Sequence, residues 1–572
     1  MNTLTEYMLT FSKYVLILLS LALLVRCVRS MLSERYDPEI WAYLRHRSGT
    51  MSITHWENIL GRSMSADLRI SSPDVERVHA VISRDDRHSW CIYDVFSKCG
   101  VWVNGIRIDE LGVRLDDGDL INVGGEKLRF INVTGENRQR LEARRASAGN
   151  RISPAVTLLE LTIFQIFLLV QHAVSASDEY RLMIALGFLA LAALEWCCFF
   201  AMRVIDRSGF EVETIAFYLT TLGLSVVAAS TPEDISKQII LIIISVTLFI
   251  INGWWLSSLH RVTVTRGLVA AFAIALLGVN ILAGGTVLGA RNWLEFGGYS
   301  FQPSELVKVC YIYVGASTLD RLYRTRNLYG FIIFSGVCVM ALALIGDFGA
   351  ALIFFATFLV ISFMRSGSIA TVVLAVSGAV LAGFLAVTVK PYIAQRFATW
   401  GHAWEDVYDK GFQQTRAMSA AASGGLFGKG AGAGWLTDIF AANTDMVFAV
   451  ICEEQGLIIG VIMVLAVLTL ALFAVRSARN GRSAYYSIAS CAAMSMLLVQ
   501  LALNVFGSLD MLPFTGVTFP FVSKGGTSLI SCWLMMSFIK GADNRRDASF
   551  AVRADEVGED EDDPDDWEEE GI

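Results

Sequence analysis

Lys390 to Gly456 reads KPYIAQRFATWGHAWEDVYDKGFQQTRAMSAAASGGLFGKGAGAGWLTDIFAANTDMVFAVICEEQG, a glycine-rich stretch of mixed polarity. It separates two hydrophobic runs, 369–389 and 446–475, each long enough to cross a bilayer. Irregular backbone facing lipid leaves N–H and C=O groups unsatisfied at several kcal/mol each, so the stretch lies outside the membrane or lines a protein-walled cavity. Connections longer than about 12–15 residues are uncommon and are usually functional or disordered. Tryptophans, other aromatics and an acid at the start of the next helix, Asp445, favour function.

The rest of the composition agrees with a polytopic α-helical membrane protein. The 572 residues are 54% hydrophobic and 17% charged, and the mean hydropathy is +0.52. The formal net charge of −8 is concentrated at one place, since twelve of the 54 acids fall between Asp555 and Glu570. The remainder carries 46 basic against 42 acidic residues. Such an acidic run reads as a solvated, disordered tail, here 542–572. The ten cysteines show no CxxC pair and no Cys/His cluster, so neither a disulfide framework nor a structural metal is expected.

The first apolar run, about 7–29 within an anchor at 1–30, is followed by Arg26, Arg29 and Arg35 against Lys13 before or within it. That asymmetry predicts an N-terminus outside and a cytoplasmic continuation. Residues 50–135 then change character, with short alternating runs such as HAVISRD, SWCIYDVF and VWVNGIRI that predict a small all-β sandwich. A basic linker at 136–151 suits anionic headgroups better than nucleic acid. Two helices follow within 152–210, and ten further runs occupy 211–541. With the anchor, thirteen spans are expected. The Arg/Lys-bearing connections at 203–210, 258–266, 320–327, 476–485 and 540–546 all fall on one side by parity. This puts the sandwich and the tail in the cytoplasm and the 390–445 loop outside.

In the β-rich segment, Gly61-Arg62-Ser63, Arg77-Val78-His79-Ala80, Ser97-Lys98-Cys99-Gly100, Val103-Asn104-Gly105 and Gly118-Asp119 occur in an order that resembles a forkhead-associated (FHA) domain. The resemblance implies phosphothreonine recognition, with Arg62, Ser97, Lys98 and Asn104 available to hold phosphate. His79 is expected to brace loops. Two positions depart from the family: Glu76 stands where a serine is usual and Cys99 where an asparagine is usual. A carboxylate repels phosphate, so an unphosphorylated cytoplasmic partner is the favoured ligand.

Four further blocks carry possible chemistry. They are GARNWLEFGGYSFQPSELVK at 289–308, Gly346-Asp347-Phe348-Gly349, the long loop, and the segment from Pro513 to Ser528. In this order and spacing they resemble the SEDS family of RodA/FtsW/SpoVE type, over about 211–541. The resemblance implies a peptidoglycan glycosyltransferase polymerising undecaprenyl-linked lipid II at the outer face of the cytoplasmic membrane, in elongation, division or sporulation. The family works with a class B penicillin-binding protein.

Such a transfer needs a base for the acceptor hydroxyl and positive charge for the departing pyrophosphate. Asp445, in Thr-Asp-Met, matches the family's acid and is expected to be the base or to orient the acceptor; its alternative role is a helix N-cap. Arg291, Arg396, Lys308 and Lys429 are the expected pyrophosphate contacts, with Gln413 and Lys524 as further substrate contacts. Glu305 and Glu454 are acids near or within spans, a costly placement that marks function, although Glu305 can instead pair with Lys308. Asp347 is expected to support architecture or coordinate metal, and Glu195 to make a polar contact within the bundle. Met446, Arg416-Ala417 and Lys524 depart from the family pattern, as does the missing proline in DIFAAN. A divalent cation (Mg2+ or Mn2+) is compatible with the chemistry, but no ligand cluster demands it. Two other readings are a lipid-precursor flippase, which the scarcity of intramembrane charge disfavours, and a non-catalytic scaffold using the FHA-like module.

Overall fold

The computed structural model describes residues 3–33, 39–133, 153–545 and 548–550, apart from gaps at 64–65, 85–88, 96, 109–110, 206, 208, 288–289, 297–298, 320–324, 367–368, 390–393, 395–396 and 480. The linker at 136–151 and the acids of 555–570 lie outside the described residues.

The chain opens with helix α1 (Thr3–Ser33) and then enters a β-sandwich. One sheet has six strands in the order β2-β1-β11-β10-β7-β8, the other five in the order β4-β3-β5-β6-β9. Here β1 is Ala42–His46, β2 Gly49–Ile53, β3 Glu57–Gly61, β4 Leu68–Arg69, β5 Ala80–Arg84 and β6 Trp90–Asp94. The remaining strands are β7 Val101–Val103, β8 Ile106–Arg107, β9 Val113–Leu115, β10 Leu120–Val123 and β11 Glu126–Asn132. Strand alternation sends Leu44, Leu60, Ile82, Ile92, Val101, Ile121, Leu128 and Phe130 into the space between the sheets. The sandwich starts before residue 50: β1 pairs with both β2 and β11 and buries Ala42 and Leu44.

The helical part contains α2 (Pro154–Ser175), α3 (Asp178–Val204), α4 (Glu211–Ser230), α5 (Ile235–Leu256) and α6 (Leu259–Ala283). A small antiparallel meander follows, β12 (Gly285–Val287), β13 (Ala290–Phe296) and β14 (Tyr299–Phe301). It leads into α7 (Pro303–Leu319), α8 (Thr325–Ile345), α9 (Phe348–Ser366) and α10 (Ile369–Val389). Eight described helices are long and apolar enough to cross a membrane, and Tyr329–Ile345 and Phe348–Met364 are shorter apolar helices. The chain is an integral membrane protein. Helix α4 is central, and its residues from Glu211 to Ala228 are all buried. Gly223 is needed there, because a Cβ would come within 2.8 Å of the Val522 carbonyl oxygen.

The apolar run at 446–475 is two helices, not one. α12 (Ala442–Asp445) is a single turn, α13 (Val447–Glu454) follows, and α14 (Leu457–Arg479) starts after a break at Gln455–Gly456. The loop Gly424–Gly430, which follows α11 (Phe412–Gly424), fills the break. Lys429 N donates to Glu453 O at 2.9 Å and Gly430 N to Glu454 O at 2.8 Å, while Leu457 N donates to Gly425 O at 3.0 Å. The loop backbone supplies the partners that a broken helix loses. Glycine is required on both sides: Gly456 has φ +94° and any Cβ there would collide with the loop backbone. A Cβ at Gly460 would lie 2.6 Å from Cys452 Sγ and 3.4 Å from Phe448 Cε2, so α13 folds across the first turns of α14.

α15 (Ala484–Ser508) and α16 (Gly526–Gly541) complete the bundle. The chain does not leave the core at 541. Asn544 Nδ2 donates to Ser477 O at 2.7 Å, Arg545 bonds the carboxylates of Glu211 and Asp543, and the Phe550 ring lies 5.4 Å from that of Phe249. The ordered core therefore extends into the segment read as tail.

The sandwich rests on the α14–α15 connection. Trp56 N donates to Arg482 O at 2.6 Å, and the Glu57 carboxylate accepts from Ser483 Oγ and Ala484 N, both at 3.0 Å. The Arg482 guanidinium reaches Glu39 at 2.5 and 2.9 Å and the Asp543 carbonyl at 3.2 Å. This end of the bundle also holds Ser30 of α1, whose hydroxyl donates to Glu211 at 2.6 Å. Lys13, on the same helix, reaches the loop at Gly428 and Lys429. At 1.5 Å per residue, Lys13 and Ser30 are about 25 Å apart along α1, close to one hydrocarbon thickness.

Candidate active site

Asp445 closes the single turn α12 and is half-buried. Met446, not Asp445, occupies the N-cap position of α13 and makes no side-chain cap bond there. Asp445 is therefore not the N-cap residue of the helix that follows it. Instead, the turn carrying Asp445 is gripped by the segment between α15 and α16. Ser523 Oγ donates to Thr444 O at 2.5 Å, Lys524 N to Asn443 O at 2.8 Å, and Asn504 Nδ2 to both Asp445 O and Val517 O at 3.0 and 2.8 Å. Gly516, at φ +68°, faces the carboxylate, and a Cβ there would sit 3.2 Å from Asp445 Oδ2.

On the other side of the same strap stands the start of α9, where a Cβ at Gly349 would lie 2.6 Å from Val517 Cγ2. Asp347 caps α9 by accepting from Ala350 N at 2.9 Å, and its other oxygen accepts from Asn292 at 2.9 Å and Gln302 at 3.4 Å. Asp347 is thus an architectural tie between β13, α7 and α9. At Thr515–Val517 the strap thus lies between the 346–349 block, through Gly349, and the long loop, through Asp445, while the 289–308 block joins through Asp347.

A buried polar line runs inward from there. Lys308 Nζ donates to Glu305 at 2.8 Å and to Gln500 Oε1 at 3.1 Å. Gln500 Nε2 donates to Thr518 Oγ1 at 2.8 Å, and Ser531 Oγ donates to the second Glu305 oxygen at 2.7 Å. Glu305 and Lys308 therefore form the ion pair that their spacing allows, one helical turn below the strap.

The other expected contacts are engaged as follows. Lys429 Nζ donates to Glu453 Oε1 at 2.7 Å, and the fully buried Glu453 also accepts from Trp435 N at 3.2 Å and Leu436 N at 3.0 Å. Lys524 Nζ is bound to Asp234 at 2.6 Å and Thr231 at 3.0 Å, at the α4–α5 connection. Gln413 Nε2 donates to Phe440 O at 3.3 Å. Glu454 is buried, and its Oε1 has no protein partner among the described residues. Arg291 belongs to β13, and Arg396 lies outside the described residues. Glu195, away from this site, accepts from Thr162 and Gln165. Sequence reasoning missed Glu453, Asn504 and Gly516. Two adjacent acids before a glycine pointed at Glu453 or Glu454, but the helix phase that turns Glu453 to the loop is not written in the local pattern.

In the sandwich, His79 is fully buried and braces loops, accepting from Glu76 N at 3.1 Å with its other nitrogen 3.3 Å from Gly100 O. Asn104 is committed to a turn with Asp119 and Leu120. The Glu76 carboxylate accepts from Lys98 N at 3.1 Å. Arg62 N donates to Glu76 O, and Ser97 Oγ is buried with no partner among the described residues.

A family model described as cell cycle protein, FtsW/RodA/SpoVE, matches residues 215–547. The chain belongs to the FtsW/RodA/SpoVE family. That match runs past 541 and takes in the ordered segment around Arg545. A second model, the FHA domain, matches residues 58–124 within the sandwich. Among curated relatives, stage V sporulation protein E of Bacillus subtilis is 31% identical over 42% of this chain and 68% of its own length. The probable peptidoglycan glycosyltransferase FtsW of Coxiella burnetii is 31% identical over 47% and 75%, and that of Tolumonas auensis 30% identical over 59% and 93%. A chain from a peptidoglycan synthase complex covers 58% of this chain and 96% of its own length, with 23% identity and a TM-score of 0.48. RodA of Thermus thermophilus gives 22% identity, 58% and 95% coverage and a TM-score of 0.41.

Proposed function

We propose that this chain is a peptidoglycan glycosyltransferase that polymerises lipid II at the outer face of the cytoplasmic membrane. The observation that carries the reading is the placement of Asp445: half-buried, on a turn held by Asn504, Ser523 and Lys524 N, against a glycine that leaves room at its carboxylate. A carboxylate fixed this way can take the proton from the acceptor 4-hydroxyl as that oxygen attacks the donor's anomeric carbon. The bond to the pyrophosphate breaks in the same step, and undecaprenyl pyrophosphate leaves. Positive charge at the leaving group falls to Arg291 and Arg396, since Lys308 and Lys429 are each neutralised by a carboxylate. No group of three carboxylate, histidine or cysteine side chains suited to a metal occurs among the described residues, so no step is assigned to a cation.

Positive-inside asymmetry places the FHA-like module in the cytoplasm and the 390–445 loop outside. The module meets the bundle through His55, Trp56 and Glu57, at the end of β3 opposite the one that leads to Arg62. Its ligand loops therefore face away from the core and suit a cytoplasmic partner. A class B penicillin-binding protein is the proposed crosslinking partner.

The test is lipid II polymerisation by the purified protein, with and without a co-purified class B partner. Asp445→Asn should lower the rate by about 10²–10⁴-fold while the protein stays folded. Equal polymer from both proteins would move the base elsewhere, and no polymer from wild type under any condition would favour a scaffold.

A further inference from the structure

The first anchor and α2 lie outside the region that matches the family, yet they reach the loop that fills the helix break. Lys13 Nζ donates to Gly428 O at 3.0 Å and to Lys429 O at 2.6 Å. Gln171 Oε1 accepts from Ala431 N at 3.2 Å, and Gln171 Nε2 donates to Ser12 Oγ at 2.8 Å. Gln171 is fully buried and Ser12 is 2% exposed, so this polar bracket is enclosed between α1, α2 and the loop. The Tyr14 ring meets the Phe427 ring edge-on at 5.1 Å, and a Cβ at Gly432 would lie 3.2 Å from Ser175 Cβ.

These contacts fall where the loop does most of its work. Gly428 to Gly430 is the stretch whose N–H groups complete α13, and Lys429 is the residue that pairs with Glu453. Glu453 in turn fixes Trp435 N and Leu436 N, a few residues ahead of the turn that ends in Asp445. A cation donating to two carbonyls of a glycine-rich loop gives it one position, because charge-assisted bonds are strong and directional.

We infer that Lys13 and Gln171 are positioning residues for the active site, and that α1 with α2 is a working part of the transferase as well as the tether of the FHA-like module. This rests on the reading of Asp445 as the catalytic acid. Neither side chain touches the reacting atoms. Each acts by holding 428–431, and through Glu453 the approach to Asp445.

The test uses the full chain in lipid nanodiscs, with steady-state polymerisation and amide hydrogen exchange measured on the same preparations. Lys13→Met and Gln171→Leu should each lower kcat about tenfold with KM changed less than about twofold, as expected of a displaced catalytic group. Exchange across 427–432 should accelerate about tenfold in both. The double variant should be little worse than the poorer single one, since both hold the same loop. Lys13→Arg, which keeps the charged donor, should recover most of the rate. Arg26→Gln, which removes the other α1–α2 tie at Glu160, should leave both readouts within about twofold. Faster exchange with unchanged kcat would overturn the inference, as would reduced kcat with unchanged exchange. If wild type makes no polymer, the functional reading fails and takes the catalytic half of this inference with it, whereas the exchange result still decides whether the bracket holds the loop.

Discussion

The two ends of the helical bundle treat buried polar groups differently. At the end that carries the β-sandwich, nearly every buried charge has a charged partner. Arg545 sits between Glu211 and Asp543, Lys540 pairs with Glu213 at 2.9 Å and also donates to the Gly209 carbonyl, and Arg482 pairs with Glu39. At the end that carries the long loop, Glu305 and Glu453 have lysine partners, but the turn of Asp445 is held by backbone and neutral side chains, and Glu454 Oε1, Ser304 Oγ and Asn504 Oδ1 are buried with no protein partner among the described residues. A satisfied network specifies structure, whereas polar groups left short of partners mark a place that expects something else. The difference separates the end that fastens the domains together from the end where the proposed chemistry sits.

If that contrast is right, Arg545→Met should have the largest effect on folding. It leaves Glu211 and Asp543 as buried carboxylates, a loss of about 3–5 kcal/mol that thermal unfolding in detergent would register. Gly516→Ala acts at the other end. It should cost about 1–2 kcal/mol for the left-handed backbone, less than Arg545→Met, yet slow polymerisation about 10²-fold by crowding the Asp445 carboxylate. Smallest of the three is Glu454→Gln. Stability should stay within about 1 kcal/mol and the polymerisation rate fall about tenfold. A stability loss from Glu454→Gln as large as that from Arg545→Met would erase the distinction between the two ends.

Much of this was legible in the sequence because it is written in local pattern. Alternation gave away the sandwich, apolar length the helices, and the four blocks the family. What escaped depends on partners far along the chain. The run 446–475 is apolar on both sides of Glu453-Glu454-Gln455-Gly456, and that tetrad alone does not say whether the helix turns or continues; the break exists because Gly425, Lys429 and Gly430 complete the backbone there. Residues 542–550 read as tail because ADNRRDASF is polar, but Arg545 is buried by Glu211, which precedes it by 334 positions. β1 was passed over because five residues ahead of a glycine carry little signal until β2 and β11 flank them. At the candidate site, motif spacing singled out Asp445 but not the state of the lysines. Lys429 and Lys524 look available for phosphate in one dimension and are bound to Glu453 and Asp234 in three.

The joint at Gly456 makes α13 a crank arm. α14 has 23 residues, about 35 Å of helix, and crosses the membrane without help. The eight residues of α13 are therefore released from spanning, and their angle to α14, together with the strap, sets where Asp445 stands. Were the joint to straighten, the acid would swing outward by roughly the 12 Å length of the arm, farther than a sugar ring is wide. The glycine loop wedged into the elbow is what keeps that lever folded.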